Sequence, residues 1–371
     1  MFVELHILQN FPPHCLNRDD TNAPKDCNFG GYRRARISSQ CIKRAVREYF
    51  QSHQENLTLS GDLATRSKLF LSEMTRRLTE KGKEPEVARR FVRNAIEEIG
   101  ICMADEERTS VLLFLGNKEL EHLADAFANN WDELHEAFPE DDSGSGELPD
   151  AIDEAFDDLK EGTSAADIAL FGRMVAELTE MNVDAACQVA HAISTNQVNM
   201  EMDFYTAVDE LQDPGKETGA GMMGFQEFNS SCFYRYSLLD VEQLRENLEG
   251  DNDLSRRAAR AYVEGSVKAI PTGKQTWTAA QNPPSYIRLM VHNNQPCSLA
   301  NAFLEPARPD KRNEKDLALV SIEKLEERKE AIDGIYGHNG DEGMDERSST
   351  YDGYNDIPFP DMLDKLEEML R

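Results

Sequence analysis

The sequence predicts an α+β protein: a discontinuous domain with strands near both ends of the chain, a helical insertion between them and a protruding β-hairpin. Three observations carry this. Residues 2–8 alternate, with Val3, Leu5 and Ile7 on one face and Glu4 and His6 on the other, and residues 285–293 (SYIRLMVHN) alternate again, the period of a half-buried strand. Residues 60–135 are rich in Glu, Lys, Arg and Leu in a helical pattern. Residues 213–224 (DPGKETGAGMMG) hold four glycines between two aromatic, β-prone stretches, MDFYTAV and FQEFNSSCFYRYSLL, which read as hairpin arms around a tip.

The other elements follow in order. Residues 10–31, with three prolines, four asparagines and the Gly30–Gly31 pair, read as a polar loop. Residues 32–37 read as a strand with Ala35 and Ile37 on one face and Arg34 and Arg36 on the other. Ser38 and Ser39 are N-caps for a helix over 39–50, whose apolar stripe is Ile42, Val46 and Tyr49 or Phe50; Lys43 and Arg47, four apart, share another face. Residues 139–150 (PEDDSGSGELPD) are a linker or exposed loop. Residues 163–178 open a helix in which Ser164 and Asp167 have capping-box spacing. The small-residue run 183–195 (VDAACQVAHAIST) reads as a packed helix, with His191 a core histidine. Residues 309–356 read as a long polar loop, and 361–371 as a closing amphipathic helix. No internal repeat occurs.

A 371-residue chain is natural for two or three domains, and 40% hydrophobic residues supply a core, which excludes global disorder. The seven cysteines are widely spaced and form no CxxC, which argues for reduced thiols rather than a disulfide framework or zinc ribbon. The start, MFVELHILQNF, lacks the basic region of a signal peptide, and no stretch approaches the roughly 20 apolar residues of a membrane span. A soluble, cytoplasmic protein with no membrane partner is expected.

The net charge is −29, from 69 Asp and Glu against 40 Lys and Arg, a balance that ordinarily argues against nucleic acid as a partner. The acid is unevenly spread: residues 101–162 hold 19 acidic and 3 basic side chains, a net of −16. Residues 29–50 (FGGYRRARISSQCIKRAVREYF) are the opposite, with Arg33, Arg34, Arg36, Lys43, Arg44 and Arg47 ahead of the first acid, Glu48. Gly30 and Gly31 permit positive φ and close backbone approach. A helix start near Ser39 offers N–H groups and a positive dipole end, and Ser38, Ser39 and Gln40 add neutral donors. Together these make a track for several phosphates; the alternative is a solvated helix face beside a tight turn. No GxxxxGK[ST] phosphate loop occurs. Phe204, Tyr205, Met222 and Met223, on or near the hairpin, suit stacking on bases, or else packing at the hairpin base.

Catalytic patterns are poor. His14 with Asp19 and Asp20 could serve a metal-dependent nuclease, although adjacent aspartates in a loop are usually caps or ion-pair partners, here of Arg18. No GxSxG, HExxH or paired His/Cys spacing occurs, and no enzyme, metal site or cofactor is expected. An acidic protein-interaction module that never touches RNA is a third reading.

Residues 14–47 (HCLNRDDTNAPKDCNFGGYRRARISSQCIKRAVR) closely resemble the N-terminal signature of the CasC family, the CRISPR Cascade backbone subunit of subtype I-E in the RAMP superfamily. The resemblance resumes at DIALFGRM (167–174), AHAISTNQVNMEMDFYTAVDELQ (190–212), QEFNSSCFYRYSLLDVEQLRENLEG (226–250), GKQTWTAAQNP (273–283) and PCSLANAF (296–303). It implies a hand-like fold: a modified RRM-like, ferredoxin-like palm in 1–55 and 163–371, helical fingers in 56–162 and a β-hairpin thumb in 195–228. It also implies a non-catalytic scaffold. Copies line one crRNA in a helical filament, kink it at regular intervals and leave guide segments to pair with target DNA, beside the large, small, RNA-end-capping and crRNA-processing subunits. By motif, Arg18, Lys25, Ser38, Gln40, Lys43, Arg44 and Arg47 fall on the RNA backbone, Met174 near the displaced base, and Phe204 and Tyr205 where an aromatic pair props the kink. Two stretches depart from the family: 101–162 is far more acidic than its fingers, and 309–356 receives no role. Five neutralised phosphates per subunit give a salt slope of roughly −3.5.

Overall fold

The computed structural model describes residues 1–139, 146–175, 178–207, 222–337 and 343–371. In chain order its elements are β1 (Phe2–His14), β2 (Asp26–Phe29), β3 (Tyr32–Ile37), α1 (Ser39–His53), β4 (Ala64–Ser67), α2 (Phe70–Glu80), α3 (Pro85–Glu98), β5 (Leu113–Gly116), α4 (Asn117–Asn129), α5 (Trp131–Ala137), α6 (Asp150–Glu161) and α7 (Ala166–Phe171). They continue as β6 (Cys187–Val189), β7 (Ala192–Ser194), β8 (Glu201–Ala207), β9 (Met222–Asp240), α8 (Val241–Asn247), α9 (Asn252–Lys268), α10 (Gln275–Thr278), β10 (Tyr286–His292), α11 (Leu317–Tyr336), β11 (Met344–Ser349) and α12 (Phe359–Met369). The chain packs as two units: Met1–Tyr49 with Gln188–Leu238 and Tyr262–Arg371, and Phe50–Cys187 with Leu239–Ala261. No described helix is long and apolar enough to cross a membrane.

The first unit is built on a sheet of order β11-β10-β1-β9-β7-β3-β2, with β6 and β8 also paired to β9. The strands read at the two ends of the chain meet at its centre, β1 and β10 running antiparallel from Phe2↔His292 to Leu8↔Tyr286. They are not half-buried. Val3 to Gln9 and all of β10 are buried. Part of the cover is α11, found inside the segment read as a loop over 309–356. Its Asp316 cap accepts the Leu319 N–H at 2.8 Å, and its inward face carries Ala318, Ser321, Ile322, Leu325, Lys329 and Ile332. Ile322, Leu325 and Ile332 share a core with Leu8, Tyr234, Tyr286 and Phe303.

Glu4 and His6, expected outward, are therefore buried and partnered. The Glu4 carboxylate accepts from His292 Nε2 at 2.7 Å, Tyr236 Oη at 2.7 Å and the Cys297 N–H at 3.1 Å. His6 Nδ1 lies 2.9 Å from Tyr234 Oη. Burial pushes both His6 and His14 down to a pKa of about 4. Each stays neutral in the fold and takes up a proton on unfolding below its ordinary value of 6.5. The stability they contribute is complete above that value and is lost as the pH falls toward the folded one. Between pH 7 and 5 the expected loss is about 2 kcal/mol per histidine, about 4 kcal/mol together. Urea unfolding at the two pH values checks this: the midpoint should drop sharply at pH 5, and an unchanged midpoint would contradict it.

Three further readings are corrected. The loop over 10–31 begins later, because β1 runs to His14 while Phe11 and His14 pack their rings near Phe233. It also contains β2, which turns into β3 through Gly30 (φ 61°) and Gly31 (φ 82°), a two-residue turn with both central residues left-handed. A Cβ on Gly30 would lie 2.1 Å from the Leu304 carbonyl oxygen, so that glycine answers the protein's own backbone. Residues 183–195 are not a helix but contribute β6 and β7. Ile193 pairs with Arg36 on one side and Tyr234 on the other, and a short apolar run paired on both edges is best satisfied as strand.

The second unit gathers α2 to α6 around a core that includes Leu71, Met74, Phe91, Leu123, Phe127 and Phe156, with the small β4–β5 sheet. The helix read over 163–178 is only α7. Asp167 does not cap it: its Oδ1 accepts the Ala64 N–H at 2.8 Å. The helix stops at Gly172 (φ 83°), where a Cβ would lie 2.9 Å from the Val183 oxygen. Residues 140–145 of the acidic linker lie outside the described residues.

Candidate nucleic-acid interface

The cations of the 29–50 island separate by role. Arg34 is fully buried. Its Nη1 donates to the carbonyls of Ser194 (2.9 Å) and Thr195 (2.7 Å), and its Nη2 to those of Phe303 (2.5 Å) and Leu304 (3.4 Å). Burial lowers its pKa. It braces β3 against β7 and the 300–304 turn, and the expectation that it lies on a surface track is corrected. Arg33 is ion-paired with Asp26. Arg36 donates through Nε to the Asp26 carbonyl at 3.2 Å and sits 3.2 Å from His191 Nδ1. His191 is thus exposed beside a cation and not in the core.

The rest of the track assembles around the start of α1. Ser38 caps the helix, its Oγ accepting the Cys41 N–H at 3.3 Å, and its own N–H donates to Asn17 Oδ1 at 2.8 Å. That bond ties the helix start to the 17–25 loop. Asp19 Oδ1 organises the loop by accepting from the Thr21 hydroxyl (2.7 Å) and the N–H groups of Thr21 (2.9 Å) and Ala23 (3.0 Å). Arg18 Nη1 donates to Asn22 Oδ1 at 2.7 Å, and the Lys25 N–H donates to the Asn17 carbonyl at 2.9 Å. Arg18, Gln40 and Arg44 are exposed; Lys25, Lys43 and Arg47 are half-buried. Arg44 also meets Glu48 at 2.7 Å. The field is positive enough to register: burial, and then Arg36 and Lys25, hold His191 below its ordinary pKa.

His14 does not join Asp19 and Asp20 in an exposed site. It is buried, with Nδ1 accepting the Leu16 N–H at 3.3 Å, whereas both aspartates face solvent. Among the described residues no cluster of three or more His, Cys, Asp or Glu could hold a metal ion.

The hairpin is a two-stranded ribbon, with β8 and β9 paired from Glu201↔Phe228 to Ala207↔Met222. Its tip, 208–221, lies outside the described residues. β9 is buried at its root and exposed or half-buried outward of Asn229. Alternation puts Met202, Phe204, Met223 and Phe225 on one ribbon face, all exposed, with the Phe204 and Phe225 rings 5.3 Å apart. Phe204 and Tyr205, neighbours in sequence, therefore point to opposite faces of the ribbon. Tyr205 lies across Gly224, where a Cβ would come within 2.4 Å of its ring. It meets Trp277 edge to face, 5.7 Å between centroids. Trp277 lies within the GKQTWTAAQNP block, and only the fold brings it beside the thumb.

Met174, in the second unit, is 82% exposed on a rigid stem. The preceding Arg173 is buried, donating to the Met181 carbonyl at 2.7 Å and paired with Glu119 at 3.1 Å, and the following Val175 N–H donates to Asn182 Oδ1 at 2.6 Å. In the same unit Arg76, Arg77, Lys81 and Arg89 each meet a carboxylate of that unit.

An antiparallel sheet with helices, a cationic helix start and a projecting ribbon define an RRM-like palm carrying a hairpin thumb. The chain belongs to the CT1975-like protein family, whose sequence pattern matches residues 3–363. This bears out the resemblance to the CasC family. Over its full length the chain is similar to a full-length chain of a solved "CRISPR RNA-guided surveillance complex, pre-nicking", with 28% identity and a TM-score of 0.86. It shares its fold with a chain of another "CRISPR RNA-guided surveillance complex" at 24% identity and a TM-score of 0.75, again over the whole of both chains. No curated protein matches the sequence.

Proposed function

We propose that the protein is a crRNA-binding, non-catalytic backbone subunit of a type I-E Cascade working in the cytoplasm. Arg18, Lys25, Lys43, Arg44 and Arg47, with Gln40 and the capped start of α1, take successive phosphates of the guide. The ribbon's apolar face, carrying Phe204, wedges into the strand and kinks it, with Met174 near the displaced base. Copies of the chain repeat along one crRNA, beside the other Cascade subunits, and leave guide segments open to target DNA. One observation carries this reading: a single compact unit joins a cationic helix start to a projecting ribbon with four large apolar side chains exposed on one face. Ser38 contributes chiefly by holding the helix start, and Arg36 by setting the local positive field.

The second reading, a nuclease using His14 with Asp19 and Asp20, is disfavoured by the burial of His14. Incubating the protein with end-labelled CRISPR RNA and Mg2+, followed by a denaturing gel and nuclease footprinting, separates the two. The scaffold leaves the RNA intact and protects it at even intervals. A cut that disappears in Asp20→Ala would establish the nuclease instead.

A further inference from the structure

The loop around α10 has no role in the reading above, yet it is built like a ligand platform. Trp277 is 59% exposed. The loop that carries it is strained at both ends. Lys274 (φ 54°, ψ 18°) and Ala279 (φ 46°, ψ 36°) are both left-handed without being glycine. Such conformations persist only where the surroundings over-determine them, and they cluster at functional sites.

The surroundings here do so. Gly273 lies so close to β1 and the residues after it that a Cβ would fall 2.2 Å from the Leu16 carbonyl oxygen. Gln275 Nε2 ties the loop together by donating to the carbonyls of Pro271 at 3.2 Å and Ala280 at 3.0 Å. Trp277 is thus held out by a rigid loop with Tyr205 at its ring, and Lys274 Nζ stands 4.3 Å from the ring centroid. Leu16, against which Gly273 packs, lies two residues before Arg18, so the loop abuts the segment that leads into the cationic track.

We propose that Trp277 is a stacking platform for one unpaired base of a single-stranded RNA, with Lys274 taking the adjoining phosphate. The platform stands beside the outer part of the ribbon, at the Tyr205–Gly224 pair, so it fixes where the strand meets the thumb. Tyr205 is its positioning residue: lying across Gly224, it sets the angle of the indole. The inference rests on the RNA-binding reading and extends it to a site that reading does not use.

The chain has two tryptophans, which makes the test direct. The intact protein is titrated with a 5′-labelled CRISPR RNA while label anisotropy and tryptophan emission are read on the same samples. Binding should quench the emission. Trp277→Phe should still bind but lose that part of the quench, leaving only Trp131. Trp277→Ala should weaken binding about 5- to 100-fold. Lys274→Gln should make the salt slope shallower by about 0.7. If anisotropy shows binding while the quench is the same in wild type and Trp277→Phe, and Trp277→Ala binds normally, the platform is overturned and the scaffold reading stands. If anisotropy shows no binding, the scaffold reading falls and the platform with it.

Discussion

Replacing Arg34 by methionine is expected to destabilise the sheet unit by about 3–5 kcal/mol, enough to unfold a marginal protein. The guanidinium is enclosed and satisfies carbonyls from two distant segments, Ser194–Thr195 and Phe303–Leu304. Methionine fills the volume but leaves those acceptors without this donor, each at a cost of about 1–3 kcal/mol. Arg34→Lys should recover little, because an ammonium has no planar fork to reach two chains at once. Urea unfolding checks this. A variant with near wild-type stability but weakened RNA binding would return Arg34 to the RNA track.

Neutralising Lys43 and Arg47 together, as Lys43→Gln with Arg47→Gln, should weaken RNA binding about 25-fold at 0.1 M salt. That figure follows from two phosphate contacts at about 0.7 of a log unit each per decade of salt. The slope should become shallower by about 1.4. The loss should be alike for RNAs of different sequence, since phosphate contacts position the strand and do not read it. Fluorescence anisotropy on two unrelated RNAs checks both statements; a loss confined to one sequence would mean that these residues read bases.

The contrast between these two predictions shows what was legible in the sequence. Lys43 and Arg47 fall where helical spacing puts them, on the face of α1 away from the buried Ile42 and Val46. Arg34 shares its strand face with Arg36, and no local pattern separates them. What separates them is the 303–304 segment, which closes over Arg34 from 269 and 270 residues away. The same holds for Glu4 and His6: the alternation of β1 is real, but α11 covers a face that alternation assigns to solvent. The helical spacing of α11, with Ala318, Ile322, Leu325 and Ile332 one or two turns apart, was present in the sequence. It was diluted by the Gly- and Asp-rich residues that follow it.

The candidate site was legible as a set of charges and only partly as a geometry. Period two puts Phe204 and Tyr205 on opposite faces of a strand, and the register of the ribbon does the same. Pairing Tyr205 with Trp277 needed the fold, because a loop some seventy residues downstream supplies the partner. The surplus acid reads more clearly in three dimensions. The carboxylates of Glu73, Glu107, Glu121 and Asp125 engage Arg76, Arg77, Lys81 and Arg89 within their own unit. The track at the start of α1 lies in the other unit and keeps a positive field in a chain of net charge −29.

The most direct test of the central claim is the affinity of the intact protein for a labelled CRISPR RNA across a salt series. Arg18, Lys25, Lys43, Arg44 and Arg47 give five phosphate contacts, so log K should fall against log salt with a slope of roughly −3.5. A slope near zero, or no binding at low salt, would mean that the cationic start of α1 is a solvated helix face and that the protein does not carry RNA on it.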